Sequence, residues 1–537
     1  MTRHGATLIV VAALLLAAVV RLRVADLPLE RDEGEYAYAG QLLLQGVPPY
    51  AQAYNMKFPG PYFAYAALMA VFGQTPRGIH VGLIVVNAIT AIALFLLVRR
   101  ILKHALAAAA ATAVFSVLSL DRMVFGVAAH ATHFVIFFAV PGLLLLDVAR
   151  SSRRLTAFAG AGLLFGVAVI MKQHAAVYGL LALGLIGWDA WRGPRPRRAP
   201  WRPALALSAG VALPLAALGV YLEASGVFGA FWFWTVRYAS EYVSVMPLSS
   251  AGPMLEGALG YVTQATLGLW LLAGAGLAAL WLVRWPAEVR VWTTGIAAAS
   301  ALGVVPGFYF RPHYFILLLP ALALLAGVTV ASAERAVRPA RRGAARGLAL
   351  LLAALLVGRY VALEWDYLTT MTPDAISRSL YSANPFVEAP VIGRYLREHS
   401  APADRIGIFG SEPEVLFYAD RRSASGYLYT YPFFEQQADA GRMIADWMRE
   451  IETARPPYIV YASIGSSWME HPDSGQAVVS WAKAYVRSCY AIVGVADIGP
   501  EGTTYVWDAA APGYQVRHEN VVFTLKRTTD GPCTASR

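Results

Sequence analysis

Long apolar runs alternate with short polar breaks along the first two thirds of the chain. Eleven predominantly apolar segments lie near 7 to 24, 79 to 98, 105 to 120, 132 to 149, 155 to 171, 174 to 190, 203 to 222, 257 to 283, 291 to 308, 314 to 333 and 347 to 363. At roughly 17 to 25 residues each, they have the length a helix needs to cross hydrocarbon. They predict a polytopic α-helical membrane domain over residues 1–363. The first run follows Arg3 and is closed by Arg21 and Arg23 without a small-residue cleavage site, so it is expected to be an uncleaved span. From about residue 385 the pattern becomes that of short helices and strands. VIGRYLREH, SEPEVLFYA (Pro413 in its first turn) and ADAGRMIADWMREIE have helical spacing, and RIGIF and PYIVYA have strand spacing. SGQAVVSWAKAYV, CYAIVGVA and NVVFTLKR continue the alternation, which predicts an α/β domain over 385–537 behind a linker at 364–384.

Composition agrees with a membrane protein. The 537 residues are 57% hydrophobic and only 15% charged, too apolar for one water-soluble core. The net charge of +10 is uneven: residues 1–363 hold 29 Lys/Arg against 13 Asp/Glu, and the remainder holds 15 against 21. Neither half reads as nucleic-acid binding. Cys489 and Cys533 lie in the C-terminal region, where an oxidising compartment would permit a disulfide.

Basic residues gather in alternate loops: Arg3, Arg99/Arg100/Lys103, Arg150/Arg153/Arg154, Arg192/Arg195/Arg197/Arg198/Arg202, Arg284/Arg290 and Arg335/Arg338/Arg341/Arg342/Arg346. Because short loops rich in these residues stay cytoplasmic, the N-terminus is expected inside. The first outer loop (25–78) and the C-terminal domain are expected outside, on a multi-pass protein of the plasma (inner) membrane, the domain being periplasmic. Within that loop, EYAYAGQLLLQG and PGPYFAYAALMAVFG suit short helices lying in the interface.

The same loop carries Asp26, Glu30, Asp32, Glu33 and Glu35 within ten residues, directly after an apolar run. A carboxylate held against apolar surface is a candidate general base, because desolvation and neighbours tune it. Asp32 and Glu33 are the candidate catalytic pair. Asp26, Glu30 and Glu35 are expected to be solvated. Lys57 in NMKFPGPY, Lys172 in VIMKQHA and Arg311 in FYFRPHYF sit on the outer face, where together they suit an anionic group such as phosphate. Tyr36, His133, His313 and Tyr314 are candidate substrate contacts. FWFWTVRYASEYVSV (231–245) reads either as an interfacial belt or as a rim for a lipid tail or sugar face, with Arg237 near the headgroup. His130 and His133 have a His-x-x-His spacing, but no further ligand is fixed, so no metal site is predicted. GAGLLFG (160–166) imitates a nucleotide loop, yet it lies inside an apolar span and is better explained by close helix packing at Gly162 and Gly166.

These residues resemble a family. RDEGEYAYAGQLLLQG, MKFPGPYFAY, GVAVIMKQHA and RPHYFILLLPALALLAG are similar to motifs of GT-C fold membrane glycosyltransferases. The resemblance is to the family 39 group of protein O-mannosyltransferases, lipid A aminoarabinose transferases and bacterial relatives. It implies a polyprenyl-phosphate-dependent, mannosyltransferase-like enzyme that transfers a sugar with inversion on the outer face. The acceptor would be an envelope glycan, lipid or protein. Asp32 matches the family's essential first-loop aspartate, Glu33 its partner and Lys57 the lysine for the donor phosphate. Glu35 and Met56 stand where some relatives carry Arg and Glu. HATH stands where an acidic residue is common, with His133 nearest the expected place. No cofactor is implied as required; a divalent metal is compatible with the resemblance but is not predicted. The rival readings are a transporter or flippase of lipid-linked sugars, which would place ionisable groups at mid-membrane, and a non-enzymatic anchor, which leaves the acidic loop without a purpose.

Overall fold

A chain crossing hydrocarbon must satisfy its own backbone hydrogen bonds, and each of the eleven apolar segments is helical over most of its length. The computed structural model describes residues 2–192, 201–435, 437–470 and 476–533. Arg195, Arg197 and Arg198 of the expected inner loop, and the first residues of SGQAVVSWAKAYV, lie outside the described residues.

Among the described residues, six helices qualify as membrane crossings by length and composition: His4–Arg23, Pro76–Leu102, Ala131–Ser152, Trp201–Ala224, Pro312–Arg335 and Pro339–Leu363. Leu248–Val262 and Leu267–Leu282 form a seventh if taken as one span, though they meet at 116°. The expected eleven therefore overstates what length alone supports. Ala105–Leu118 and Leu155–Met171 are apolar but only 14 and 17 residues long. The GAGLLFG glycines serve helix packing. A Cβ on Gly162 would lie 2.1 Å from the Leu207 carbonyl oxygen, and one on Gly166 would lie 2.5 Å from that of Val211.

One end of the bundle carries ion pairs among the basic loops. Arg100 meets Asp147 at 2.5 Å, Arg150 meets Asp189 at 2.7 Å and His104 lies 2.9 Å from Glu334. The other end carries the first loop, 25–78, and the C-terminal domain. That domain is a six-stranded mixed sheet: β1 (Arg405–Phe409), β2 (Arg422–Ser423), β3 (Tyr458–Ser463), β4 (Tyr490–Gly499), β5 (Gly502–Trp507) and β6 (Asn520–Arg527), in the order β2-β1-β3-β6-β4-β5. β1 is parallel to β2 and β3, and the remaining pairings are antiparallel, with Ile406 opposite Tyr458 and Tyr458 opposite Lys526. A disulfide joins Cys489 to Cys533.

The first-loop helix, Arg31–Leu44, does not lie half-exposed in an interface, because residues 33 to 42 are all buried. The membrane helices enclose it on one side and the helix Pro413–Ala419 on the other. The apolar core runs without interruption from Val20 in the bundle through Tyr36 and Leu416 to Val522 in β6. The Tyr418 hydroxyl accepts from Leu29 N, that of Tyr38 accepts from Ser423 N, and Tyr54 N donates to Gly426 O. The helix meets the domain closely at Gly34, where a Cβ would lie 2.5 Å from Glu414 Cβ and 2.7 Å from its backbone. Gly34→Val should push the C-terminal domain off this helix, costing about 1–3 kcal/mol or more. A lowered melting temperature and faster proteolysis between residues 364 and 420 would report it; unchanged stability would show that the contact is not tight.

Candidate active site

Glu30 caps the first-loop helix, its Oε1 accepting from Glu33 N at 2.9 Å, and Asp32 and Glu33 in the first turn complement the helix dipole. Successive helical side chains point about 100° apart, so the charged residues diverge. Arg31 and Glu35 turn toward the C-terminal domain, Glu33 toward the membrane helices, and Asp32 toward the partly open space between them.

Lys57 closes over that space. Its Nζ donates to Asp32 Oδ1 at 2.7 Å and to Glu35 Oε2 at 2.5 Å, and sits 4.7 Å from the Tyr36 ring centroid. The loop that carries it is tied back by Tyr50, whose hydroxyl donates to Lys57 O at 2.7 Å. Glu35 also accepts from Tyr62 Oη at 2.5 Å and from Tyr429 Oη at 2.7 Å. Its side chain is 0% exposed, against 26% for Asp32 and 22% for Lys57. Asp32 is thus the carboxylate that a substrate can reach. Burial pushes its acidity the wrong way for an ion, but the Lys57 ammonium outweighs burial and holds Asp32 at about 2. Lys57 itself is held well above the usual lysine range, since Asp32 and Glu35 overcome desolvation.

Around Asp32 stand groups from three further loops. His130, from the turn before Ala131–Ser152, and His313, from the start of Pro312–Leu318, stack with centroids 4.3 Å apart. Each offers a ring nitrogen within 4.8 Å of Asp32 and of the other. Burial pushes His130 down to about 4, so it is neutral at physiological pH. Lys172 sits over the Tyr314 ring at 3.9 Å and has no ion-pair partner among the described residues. Burial pushes it down to about 7. Arg311 lies over Tyr309 at 5.5 Å; burial opposes its charge, but Tyr242 and Tyr314 raise it.

Several expectations need correction. Glu33 is fully buried, with Oε1 accepting from Ala129 N at 2.6 Å and lying 3.0 Å from His80 Nε2. Burial raises its pKa, but His80 outweighs this and keeps it below the usual carboxylate range. It anchors the turn that presents His130 rather than facing substrate. His130, not His133, reaches Asp32: His133 is buried with both ring nitrogens unpaired. Arg237 is paired with Asp439 of the C-terminal domain at 3.2 Å, and neighbouring Tyr238 donates to Glu435 at 2.5 Å, so the aromatic loop is pinned to that domain. Of the carboxylates expected to be solvated, only Asp26 is exposed, paired with Arg77; Glu30 and Glu35 turn inward. Asp32, Lys57, Tyr36, Lys172, Arg311, His313 and Tyr314 do surround one space. His130, Glu35, Tyr62 and Tyr429 were missed as site residues.

Asp32, His130 and His313 bring three ligand atoms within 4.8 Å of one another, a donor set chemically suited to a divalent cation such as zinc. Lys57 Nζ already occupies Asp32 Oδ1, however, and a cation there would face that ammonium across the shared carboxylate.

The profile of the dolichyl-phosphate-mannose-protein mannosyltransferase family matches residues 56–221. Among solved structures, the chain is similar to ArnT from Cupriavidus metallidurans in the apo state, at 15% identity and a TM-score of 0.57, covering 97% of this chain and 98% of that one. The same protein bound to undecaprenyl phosphate gives 14% identity and a TM-score of 0.54, covering 98% of both chains. The oligosaccharyltransferase AglB from Archaeoglobus fulgidus, in complex with an inhibitory peptide and a dolichol-phosphate, gives 12% and 0.54, covering 94% of this chain and 74% of that one. A comparison with curated protein sequences finds no match. The similarity to these solved structures shows that the chain shares the GT-C fold, a helical membrane domain followed by a C-terminal mixed-sheet domain, and the family profile matches only the part from residue 56 to 221.

Proposed function

We propose that the protein is an inverting glycosyltransferase that moves a sugar from a polyprenyl-phosphate donor to an envelope acceptor on the outer face of the plasma membrane. The observation that carries this reading is a reachable carboxylate, Asp32, facing Lys172, a half-buried amine without an ion-pair partner among the described residues, and Arg311. A lipid phosphate is a stable anion as it leaves, so the departing oxygen needs positive charge rather than an acid. Lys172 and Arg311 provide that charge. The acceptor oxygen attacks the anomeric carbon opposite the phosphate, the bond from carbon to phosphate oxygen breaks, and Asp32 takes the hydroxyl proton. At a pKa of about 2, Asp32 is a weak base while Lys57 holds it. A donor phosphate that draws Lys57 toward itself would relieve that hold and raise the basicity of Asp32 at the moment it is needed. No step uses a metal.

The direct test is transfer of labelled sugar from a polyprenyl-phosphate donor by purified protein, with mass spectrometry of envelope glycans from a deletion strain to find the acceptor. An unchanged glycan profile together with no transfer would overturn the reading. Protein treated with EDTA is expected to keep its rate, while added zinc should inhibit by displacing Lys57 from Asp32. Loss of activity in EDTA, restored by a divalent cation, would reject the metal-free mechanism.

A further inference from the structure

The mechanism above draws every reacting group from the membrane domain and its first loop, yet one contact at Lys57 comes from the C-terminal domain. Tyr429 donates its hydroxyl to Glu35 Oε2, the same oxygen that accepts from Lys57 Nζ, across 394 residues of sequence. Its hydroxyl also lies 3.2 Å from Arg31 O, and its ring lies 5.4 Å from Lys57 Nζ. Tyr429 is buried and stacked on Tyr431, with centroids 5.5 Å apart. One turn away on the same helix face, Arg31 bonds Glu412 Oε1 at 2.9 Å and the Ser411 carbonyl at 2.5 Å. The C-terminal domain therefore grips the first-loop helix on both sides of Asp32. Glu35 is wholly buried, and burial raises its pKa against the pull of Lys57, so each hydrogen bond it accepts helps keep it in the ionised form that binds the ammonium.

We infer that Tyr429 is a positioning residue for the transfer reaction, holding Glu35 so that Lys57 is aimed at Asp32 and at the incoming phosphate. The C-terminal domain thereby forms part of the reaction centre. This rests on the reading of Asp32 as the base and Lys57 as its switchable partner. The hydroxyl does not touch substrate; it acts through Glu35.

Tyr429→Phe keeps the ring and removes only the donor. Its transfer rate kcat should fall about tenfold or more while the donor KM changes by less than about threefold, because the loss concerns orientation rather than binding. Combining it with Glu35→Gln should cost no more than the worse single change, the sign of a shared path. Tyr418→Phe, which loses the docking bond to Leu29, should lower the melting temperature but leave kcat unchanged. Independently of turnover, an amine-directed label read by mass spectrometry should modify Lys57 faster in Tyr429→Phe than in the wild type. Wild-type turnover by Tyr429→Phe, with Asp32→Asn inactive, overturns the positioning role and leaves the proposed function standing. Wild-type turnover by Asp32→Asn moves the base elsewhere and overturns this positioning role with it, whereas no transfer by any form of the protein overturns the function itself. The labelling of Lys57 then decides: an unchanged rate rejects the role of Tyr429.

Discussion

Asp32→Asn is expected to lower kcat for sugar transfer by about 10²- to 10⁴-fold, the usual worth of a positioned general base. Asparagine is nearly isosteric, so it keeps an oxygen for the Lys57 ammonium at the 2.7 Å position but loses the charge and the ability to accept a proton. Donor binding should survive or strengthen, because the partner that most firmly holds Lys57 has become neutral. Transfer of labelled sugar, alongside binding of undecaprenyl phosphate and a melting curve, separates these outcomes. Wild-type turnover by folded Asp32→Asn protein would move the base elsewhere. His130 is the first group to test next, since burial holds it neutral, neither ring nitrogen is hydrogen-bonded among the described residues, and it is adjacent to Asp32.

Asp32 and Lys57 were legible in the sequence because each interrupts an apolar run at a place where topology needs no charge. His130 was not legible. Two histidines share the spacing HATH, and the choice between them depends on the turn at 121 to 130, where Phe125 has a φ of 56° and Glu33 fixes Ala129 N. The burial of Glu35 was equally hidden, since its partners Tyr62 and Tyr429 are remote in sequence. Arg237 misled for a related reason: an aromatic loop at a membrane boundary looks the same whether it faces lipid or, as here, a domain that supplies Glu435 and Asp439. Among the elements, apolar runs gave helices reliably because hydrocarbon leaves the backbone no other choice. The bend between Val262 and Leu267 escaped because the run 257 to 283 stays apolar on average, with only Thr263, Gln264 and Thr266 marking the break. Strand β5 went unmarked although TTYVW is rich in strand-forming residues; it follows β4 through a tight turn and begins at Gly502 with a φ of 131°.

Lys172→Met should weaken binding of undecaprenyl phosphate by about 10- to 100-fold, the worth of a hydrogen bond between charged groups in a partly dry site. The reasoning turns on which amine is free. Lys57 already bonds two carboxylates, and Arg311 lies among Tyr242, Tyr309 and Tyr314. Lys172 has an aromatic face and no ion-pair partner among the described residues, and burial has pushed its pKa down to about 7. A phosphate binds the ammonium form and raises that pKa, so the stabilisation is full below about pH 7 and is lost as pH rises through the higher value of the bound state. Affinity should therefore decline on going from pH 6.5 to pH 9. Lys172→Arg stays charged throughout and should flatten the profile. Binding measured across this range in detergent separates the cases: a wild-type profile as flat as that of Lys172→Arg would remove Lys172 from the phosphate site, whereas a slope that disappears only in the arginine variant assigns it there.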